Sequence, residues 1–545
     1  MSTLPTTPAD TPVGTPADPA AAPANTPAAS SASSSASSSA ATARSALDGA
    51  FPGGLGAFVD GRIAVGGGET VPLTAAATGE RFGGFPDPGR EGADAVLASA
   101  VRGAAVWGAT DPFERAAILR EVSRTVAEHA EELAVLESAT TGKPLRDTRG
   151  EAAKVAEMFG YYAGWADKVT GLTIPVPGNW HTYTERVPHG VVVAITPWNA
   201  PLFTAGWNAA APLAAGNAVV VKPSEFTPVS TLRLAELAHR AGLPDGVFNV
   251  AVGLGGTVGA ALTSDRRVGK VSFIGSVATG RRVAVAAAGA GIPTVLELGG
   301  KSANIVFADA DLERAADGAV AAVFSGAGQS CVAGSRLLVE RSVHAEFVAL
   351  VAERAARLRL GDPLDPATEV GPILTAPQYA TVNELIEAGI RDGGRRVTGA
   401  ELPAALTGSA LAGGHWVAPT LLDGVTPGNR LETTEVFGPV VGADAFDTEA
   451  EAVERANATD FGLAGAVWTG DVSRAHHVAR SVRAGTFWIN AYKTIHVAVP
   501  FGGFGDSGHG RSSGPGALDE YTQPKAVWVP TRGAGAPFPS LSYSG

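Results

Sequence analysis

The sequence predicts a doubly wound α/β protein with two such domains. Three observations predict it. Short β-branched runs such as GVVVAITP and NAVVVKPS are bounded by Gly and Pro, as strands buried on both faces of a parallel sheet are. Helical patterns separate these runs, giving the strand–helix–strand alternation of an open parallel sheet. The same alternation resumes after residue 300, which predicts the second domain.

The elements follow in order. Residues 1–43 are Ala, Pro, Ser and Thr with almost no large apolar residue, too little to bury a core. A disordered tail is expected over 1–50, with order beginning near GAFVDGRIAV. The tail lacks a basic start with an apolar run, so no secretory signal is expected. DPFERAAILREVSRTVAEHAEELAVLESATTG has helical spacing and stops at Gly142. STLRLAELAHRAGLPDG is a helix closed by Gly242, and VFNVAVG and KVSFIGS are further strands. YTERVPHG and EYTQPKAVWVP are extended but too polar for a sheet centre, and suit an exposed arm or ribbon.

Composition bounds the function. The 545 residues are 45% hydrophobic, ample for large cores, and carry a formal charge of −12, which argues against a nucleic-acid surface. No apolar run reaches the roughly 18–20 residues of a membrane span. One cysteine excludes an internal disulfide framework and a thiolate-rich metal site, and sets a reducing, cytoplasmic location as the expectation. No His/Asp/Glu cluster has metal spacing, so no catalytic metal is expected.

That cysteine, Cys331, lies in GQSCVAGSR among small residues that let a ligand approach the sulfur and leave its amide N–H free for an oxyanion. Alone, the stretch reads more simply as an inert buried thiol used as a small hydrophobe. LELGGKSANIV places Glu297 between leucines at a strand end, where burial raises a carboxyl pKa into the range of a general base. AITPWNAPL sets Asn199 after a strand and a turn, able to donate to an oxyanion or to serve as a plain turn residue. His189 and His509 could pair with a thiol, but read more simply as turn or surface residues.

Together these stretches resemble the NAD(P)-dependent aldehyde dehydrogenase family. TPWNAP, AAGNAVVVKPSEFTP, AGLPDGVFNV, FIGS, LELGGKS, GQSC, EVFGP, FGLAGAVWTGD, GTFWIN and PFGGFGDSGHGR occur in the family's order and separations, over nearly everything after residue 55. Each is a weak match; ten in register are specific. The resemblance implies Cys331 as the nucleophile, forming a thiohemiacetal and then a thioester. It implies Asn199 and the Cys331 N–H as oxyanion donors and Glu297 as the base that activates water.

The resemblance also implies an NAD site. Lys222, Ser224 and Glu225 of KPSE would reach the adenosine ribose, where a carboxylate favours NAD over NADP. Thr196, Pro197 and Trp198 would line the cofactor site, with Phe273, Gly275 and Ser276 of FIGS at the pyrophosphate, and Leu298, Glu435 and Phe437 at the nicotinamide end. GLGGTVG, with Gly255 and Gly259, is taken as a turn near the adenine. The implied domains are a nucleotide-binding domain (55–165 and 189–299), a catalytic domain (300–505) and an oligomerisation ribbon (170–188 with 512–531), hence a homodimer or homotetramer.

Three departures stand out. FIGS has Ile274 where FTGS is commoner. Asn208 and Ser512 stand where many members carry Lys and Glu, so the proton route from the base is expected to differ. Ala200, Thr204 and Ser325 replace larger residues in the expected substrate tunnel, with Trp207 and Phe501 as aromatic walls, which suggests a roomy tunnel. Two other functions compete: a CoA-acylating relative, which the presence of Glu297 opposes, and a retired binding protein of the same fold, which the trio Cys331, Glu297 and Asn199 opposes.

Overall fold

Uninterrupted runs of valine fix the centre of the molecule, because a strand apolar on both faces has to be covered on both. In the computed structural model, which describes residues 39–531, Val191–Ile195 and Ala218–Lys222 lie side by side in parallel within an eight-stranded sheet. Its central order is Phe248–Val250, Ala218–Lys222, Val191–Ile195, Lys270–Ile274, Thr294–Glu297, all parallel. The chain therefore starts in the middle at Val191–Ile195, builds two strands to one side, and crosses to build the other two. Such a reversal leaves a crevice at the carboxyl ends of the two middle strands, where open α/β sheets bind ligands. Antiparallel strands Gly508–His509, Ala57–Val59 and Arg62–Ala64 complete the edges.

A second sheet has seven strands, in the order Arg395–Arg396, Thr420–Asp423, Val440–Phe446, Arg336–Glu340, Ala303–Val306, Ala464–Trp468, Thr486–Ile489, parallel except for the first pair. Its helix Leu312–Phe324 packs on Trp468, whose indole fills the space a side chain at Gly318 would need. The two polar extended segments pair with each other: Trp180–Pro188 and Thr522–Pro530 form an antiparallel ribbon of two strands. Among the described residues no helix is long and apolar enough to cross a membrane.

Three expectations need correction. Residues 39–50, assigned to the tail, form a helix, Ser39–Ala50. Ala40, Ala43 and Leu47 line its buried face and join a core with Leu55 and Phe82. A face of alanines and one leucine carries too little apolar signal to be read against the preceding tract. Residues 1–38 lie outside the described residues. The long helical pattern before Gly142 is two helices, Pro112–Glu128 and Ala130–Thr141, parted at His129; Gly142, at φ +79°, does cap the second. GLGGTVG is a widened helical turn over Gly255–Gly259 that runs into Ala260–Thr263.

Candidate active site

Small residues give the approach to the thiol its shape. Helix Leu312–Phe324 ends, and Gly326, Ala327 and Gly328 follow at φ +64°, +54° and +68°. Three successive left-handed residues bend the chain sharply, and the alanine holds a conformation that strains any residue with a Cβ, as active-site backbone often is. A Cβ at Gly328 would lie 2.0 Å from the Gly438 carbonyl oxygen. Gly328→Ala is therefore expected to destabilise the protein by about 2–4 kcal/mol, which chemical denaturation of the purified variant measures.

Cys331 emerges from this turn partly buried, packed against the apolar cluster of Val332, Leu463, Ala466 and Trp488, which Tyr492, Ile495 and Phe501 also cover. Burial first, and then the negative charges of Glu435 and Glu297, push its thiol up to about 12. Its own amide N–H and the Lys493 ammonium pull the other way. Asn199 is brought to the same turn: its Nδ2 donates to the Gln329 carbonyl at 2.8 Å, two residues before the cysteine, and its second N–H remains for another acceptor.

Glu297 ends its strand with 3% exposure, and desolvation raises its carboxyl to about 8. One oxygen, Oε1, accepts from the Ser512 hydroxyl at 2.8 Å, while Oε2 is buried with no partner. A half-satisfied buried carboxyl is costly, and persists where chemistry needs a free oxygen. Glu435 lies on the glycine pair that follows. Its Oε1 accepts from Gly300 N at 3.1 Å, its Oε2 would sit 2.2 Å from a Cβ at Gly299, and desolvation raises its carboxyl to about 7. Phe437, at φ +54°, meets the Trp198 ring edge-on at 5.2 Å.

The sheet crevice gathers the other site residues. Thr196 follows Val191–Ile195, its N–H bonded to the Lys222 carbonyl and its Oγ1 buried without a partner. Pro197 continues the same turn. Lys222 is buried, with Nζ donating to the Pro223 carbonyl at 3.0 Å and lying 3.6 Å from Glu225, and desolvation lowers its pKa. Ser224 accepts from Phe226 N at 3.4 Å. Gly259 sits against Lys222, its Cβ position 3.8 Å from Cε, whereas Gly255 is open to solvent. Across the crevice, Phe273 is the last residue but one of the next strand and its ring lies against Gly275. Ser276 caps the helix Val277–Gly289, accepting from Thr279 N at 3.4 Å, and Leu298 packs under that helix against Gly280. Both histidines lie elsewhere: His509 Nε2 meets Thr294 Oγ1 at 3.0 Å and His189 packs on Gly269.

Known proteins resemble this chain in sequence and fold. A model of the Aldehyde dehydrogenase family matches residues 64–527. The chain belongs to the aldehyde dehydrogenase family. It is accordingly an oxidoreductase acting on aldehydes. It is 46% identical to a betaine aldehyde dehydrogenase of Cereibacter sphaeroides (strain KD131 / KCTC 12085) over 483 residues, 88% of this chain and 98% of that one. It is 41% identical to human retinal dehydrogenase 2, over 85% of this chain and 89% of the relative. Among solved structures it resembles PnpE from Pseudomonas sp. WBC-3, at 41% identity and TM-score 0.86, covering 89% of this chain and 99% of that one. PnpE has also been solved in complex with nicotinamide adenine dinucleotide.

Against this family background, the two polar departures have separate partners. Asn208 Oδ1 accepts from Ser272 at 2.6 Å and its Nδ2 donates to the Thr204 carbonyl, whereas Ser512 links Trp207 Nε1, at 2.7 Å, to Glu297. The serine hydrogen points at the carboxylate and favours its charged form. Removing it raises the Glu297 pKa further. Ser512→Ala is expected to move the acid limb of the pH–rate profile upward by about 1 unit, measured as kcat against pH.

Sequence reasoning missed several groups. Ser507 Oγ donates to the Gly299 carbonyl at 2.7 Å and steadies the glycine pair. Asp87 holds the 254–257 turn through Leu254 N and Thr257 Oγ1. Lys301, buried near Arg336, is pushed down to about 7 by desolvation. Lys493 is the most consequential. It lies at φ +59° in WINAYKTIHVAVP, its Nζ donating to Ser325 Oγ at 2.8 Å, and desolvation lowers it to about 8. The signal available was the one lysine in a run that has no Asp, Glu or Arg.

Proposed function

We propose that this enzyme oxidises an aldehyde to its carboxylic acid with NAD, through an acyl group on Cys331 that water hydrolyses with Glu297 as base. The observation that carries the reading is the unpartnered Oε2 of Glu297, buried beside the thiol that its charge affects.

The crevice fits the cofactor on its own evidence. It lies at the strand reversal, and Thr196 Oγ1 is an orphaned buried hydroxyl at its floor. The N-terminus of Val277–Gly289 opens onto it, a site suited to a pyrophosphate. Glu225 and Lys222 stand where ribose hydroxyls would bind, and the carboxylate repels the extra phosphate of NADP. When bound, the oxidised nicotinamide supplies a hydride acceptor and a positive charge.

The chain's own residues do the rest. Sγ adds to the carbonyl carbon, and the thiol proton passes to solvent as the one net proton of the reaction. Asn199 Nδ2 and the Cys331 N–H hold the oxyanion, a contribution of about 3–4 kcal/mol for a donor of this kind. Collapse of the oxyanion expels hydride and leaves a thioester on Sγ. Glu297 Oε2 takes a proton from water, whose oxygen attacks the thioester carbon. The acid leaves, and Sγ recovers a proton. Glu297, near 8, is a far weaker base than the thiolate, near 12, so it cannot by itself ionise Cys331 efficiently. Positive charge nearby, including Lys493, lowers that cost.

NADH formation from an aldehyde with and without coenzyme A tests the reading. Full turnover without coenzyme A supports hydrolysis. Strict dependence on coenzyme A would overturn it in favour of acyl transfer. The ribbon Trp180–Pro188 with Thr522–Pro530 has two strands and exposes Trp528, so it supports assembly into a homodimer or homotetramer through these edges. The lone thiol suits a reducing cytoplasm.

A further inference from the structure

Lys493 is a cation placed deliberately. Its loop is fixed at both ends: Asn490, at φ +50°, accepts from Thr469 N–H through Oδ1 and donates to the Thr469 carbonyl through Nδ2, each at 3.0 Å, and Trp488 Nε1 donates to the Thr494 carbonyl at 2.9 Å. Two left-handed residues held so firmly aim a long side chain at one place. That place is the start of the Cys331 turn, where Nζ meets only the hydroxyl and carbonyl oxygens of Ser325, at 2.8 and 3.4 Å. Both partners are neutral.

Among the described residues no carboxylate lies within ion-pair distance of Lys493. The charges acting on it are Asp147, Lys143 and the Cys331 sulfur. Asp147 lies 3.3 Å from Arg146 Nε, and Lys143 is ion-paired with Glu151. Lys143 thus has its own partner, whereas Asp147 keeps a buried Oδ2 without one and attracts Lys493 only from beyond contact, so no carboxylate touches the ammonium. A desolvated ammonium with neutral partners is costly, and an anion entering beside it recovers that cost. Ser325, Ala200 and Thr204, the residues expected along the substrate tunnel, all carry small side chains.

We propose that Lys493 binds the substrate, and that the preferred aldehydes carry a carboxylate at their far end, which pairs with the Lys493 ammonium while the formyl carbon meets Cys331. This rests on the oxidation through Cys331 given above, and specifies its substrate class. It separates this enzyme from its relatives named for betaine aldehyde, since a quaternary ammonium would be repelled by Lys493.

The test compares kcat/KM for succinic and glutaric semialdehydes, pentanal and betaine aldehyde in the wild type, Lys493→Met and Lys493→Arg. Because Lys493 also acts on the thiol, the readout is the ratio of anionic to neutral substrate within each protein. The wild type is expected to favour a semialdehyde over pentanal by about tenfold or more, and Lys493→Met to lower that ratio by about tenfold to a hundredfold, mainly through KM. Lys493→Arg should keep it. A wild-type preference for pentanal or betaine aldehyde, or a ratio unchanged in Lys493→Met, overturns the proposal. Succinate protection of Cys331 against iodoacetamide reads the same site without turnover. Protection in the wild type and none in Lys493→Met would uphold anion binding even if no aldehyde were oxidised, which would sink only the oxidation chemistry. Absence of protection in the wild type would overturn the anion site itself.

Discussion

Cys331→Ala loses NADH formation by about 10⁴-fold or more, while NAD binding measured by calorimetry is unchanged. The size follows from the route. With the only thiol gone, no covalent hemiacetal forms, and hydride would have to leave an unactivated aldehyde hydrate. The substitution removes one sulfur from a partly buried position, so the fold is little affected. Activity surviving at a tenth of wild type would require a different nucleophile, and the chain has no second cysteine to provide one.

Glu297→Gln has the second largest effect, and it is specific to one half of the cycle. Steady-state turnover is expected to fall by about 10²–10⁴-fold, the range for a lost general base. The first turnover should still deliver its hydride, so rapid mixing should show a burst of NADH equal to the active sites, followed by a slow phase. The thiol provides a sign check. The Glu297 charge is one of the influences that raise the Cys331 pKa, so neutralising it lowers that pKa. At a fixed pH above about 8, where Glu297 is charged, alkylation of Cys331 by iodoacetamide should therefore be faster in the variant, even as turnover drops. The glutamine keeps the Ser512 contact available, which separates the loss of the base from a loss of packing.

Much of the central sheet was legible, because a parallel strand buried on both faces reads as a valine run, and GVVVAITP, NAVVVKPS and KVSFIGS each lie on one. The motifs around Asn199, Glu297 and Cys331 were legible for another reason: each functional side chain sits at the end of such a strand or at a glycine turn, where sequence and geometry coincide locally. What escaped was set by distance along the chain. Lys493 meets Ser325 across 168 residues, and Ser512 meets Glu297 across 215. Neither contact leaves a periodic trace. Helix Ser39–Ala50 escaped because its buried face is mostly alanine, and it gains stability only by covering Phe82 and Leu55. The break at His129 escaped because both flanking helices continue the same apolar spacing, and only the backbone shows His129 leaving the helical conformation.

The most direct test is the intact mass of Glu297→Gln after mixing with NAD and an excess of a semialdehyde. The expected result is a protein heavier by one acyl group, located on the peptide containing Cys331 and released by hydroxylamine, as a thioester is. An unmodified protein accompanied by a full burst of NADH would contradict it, because hydride would then have left a substrate that never became attached to Cys331.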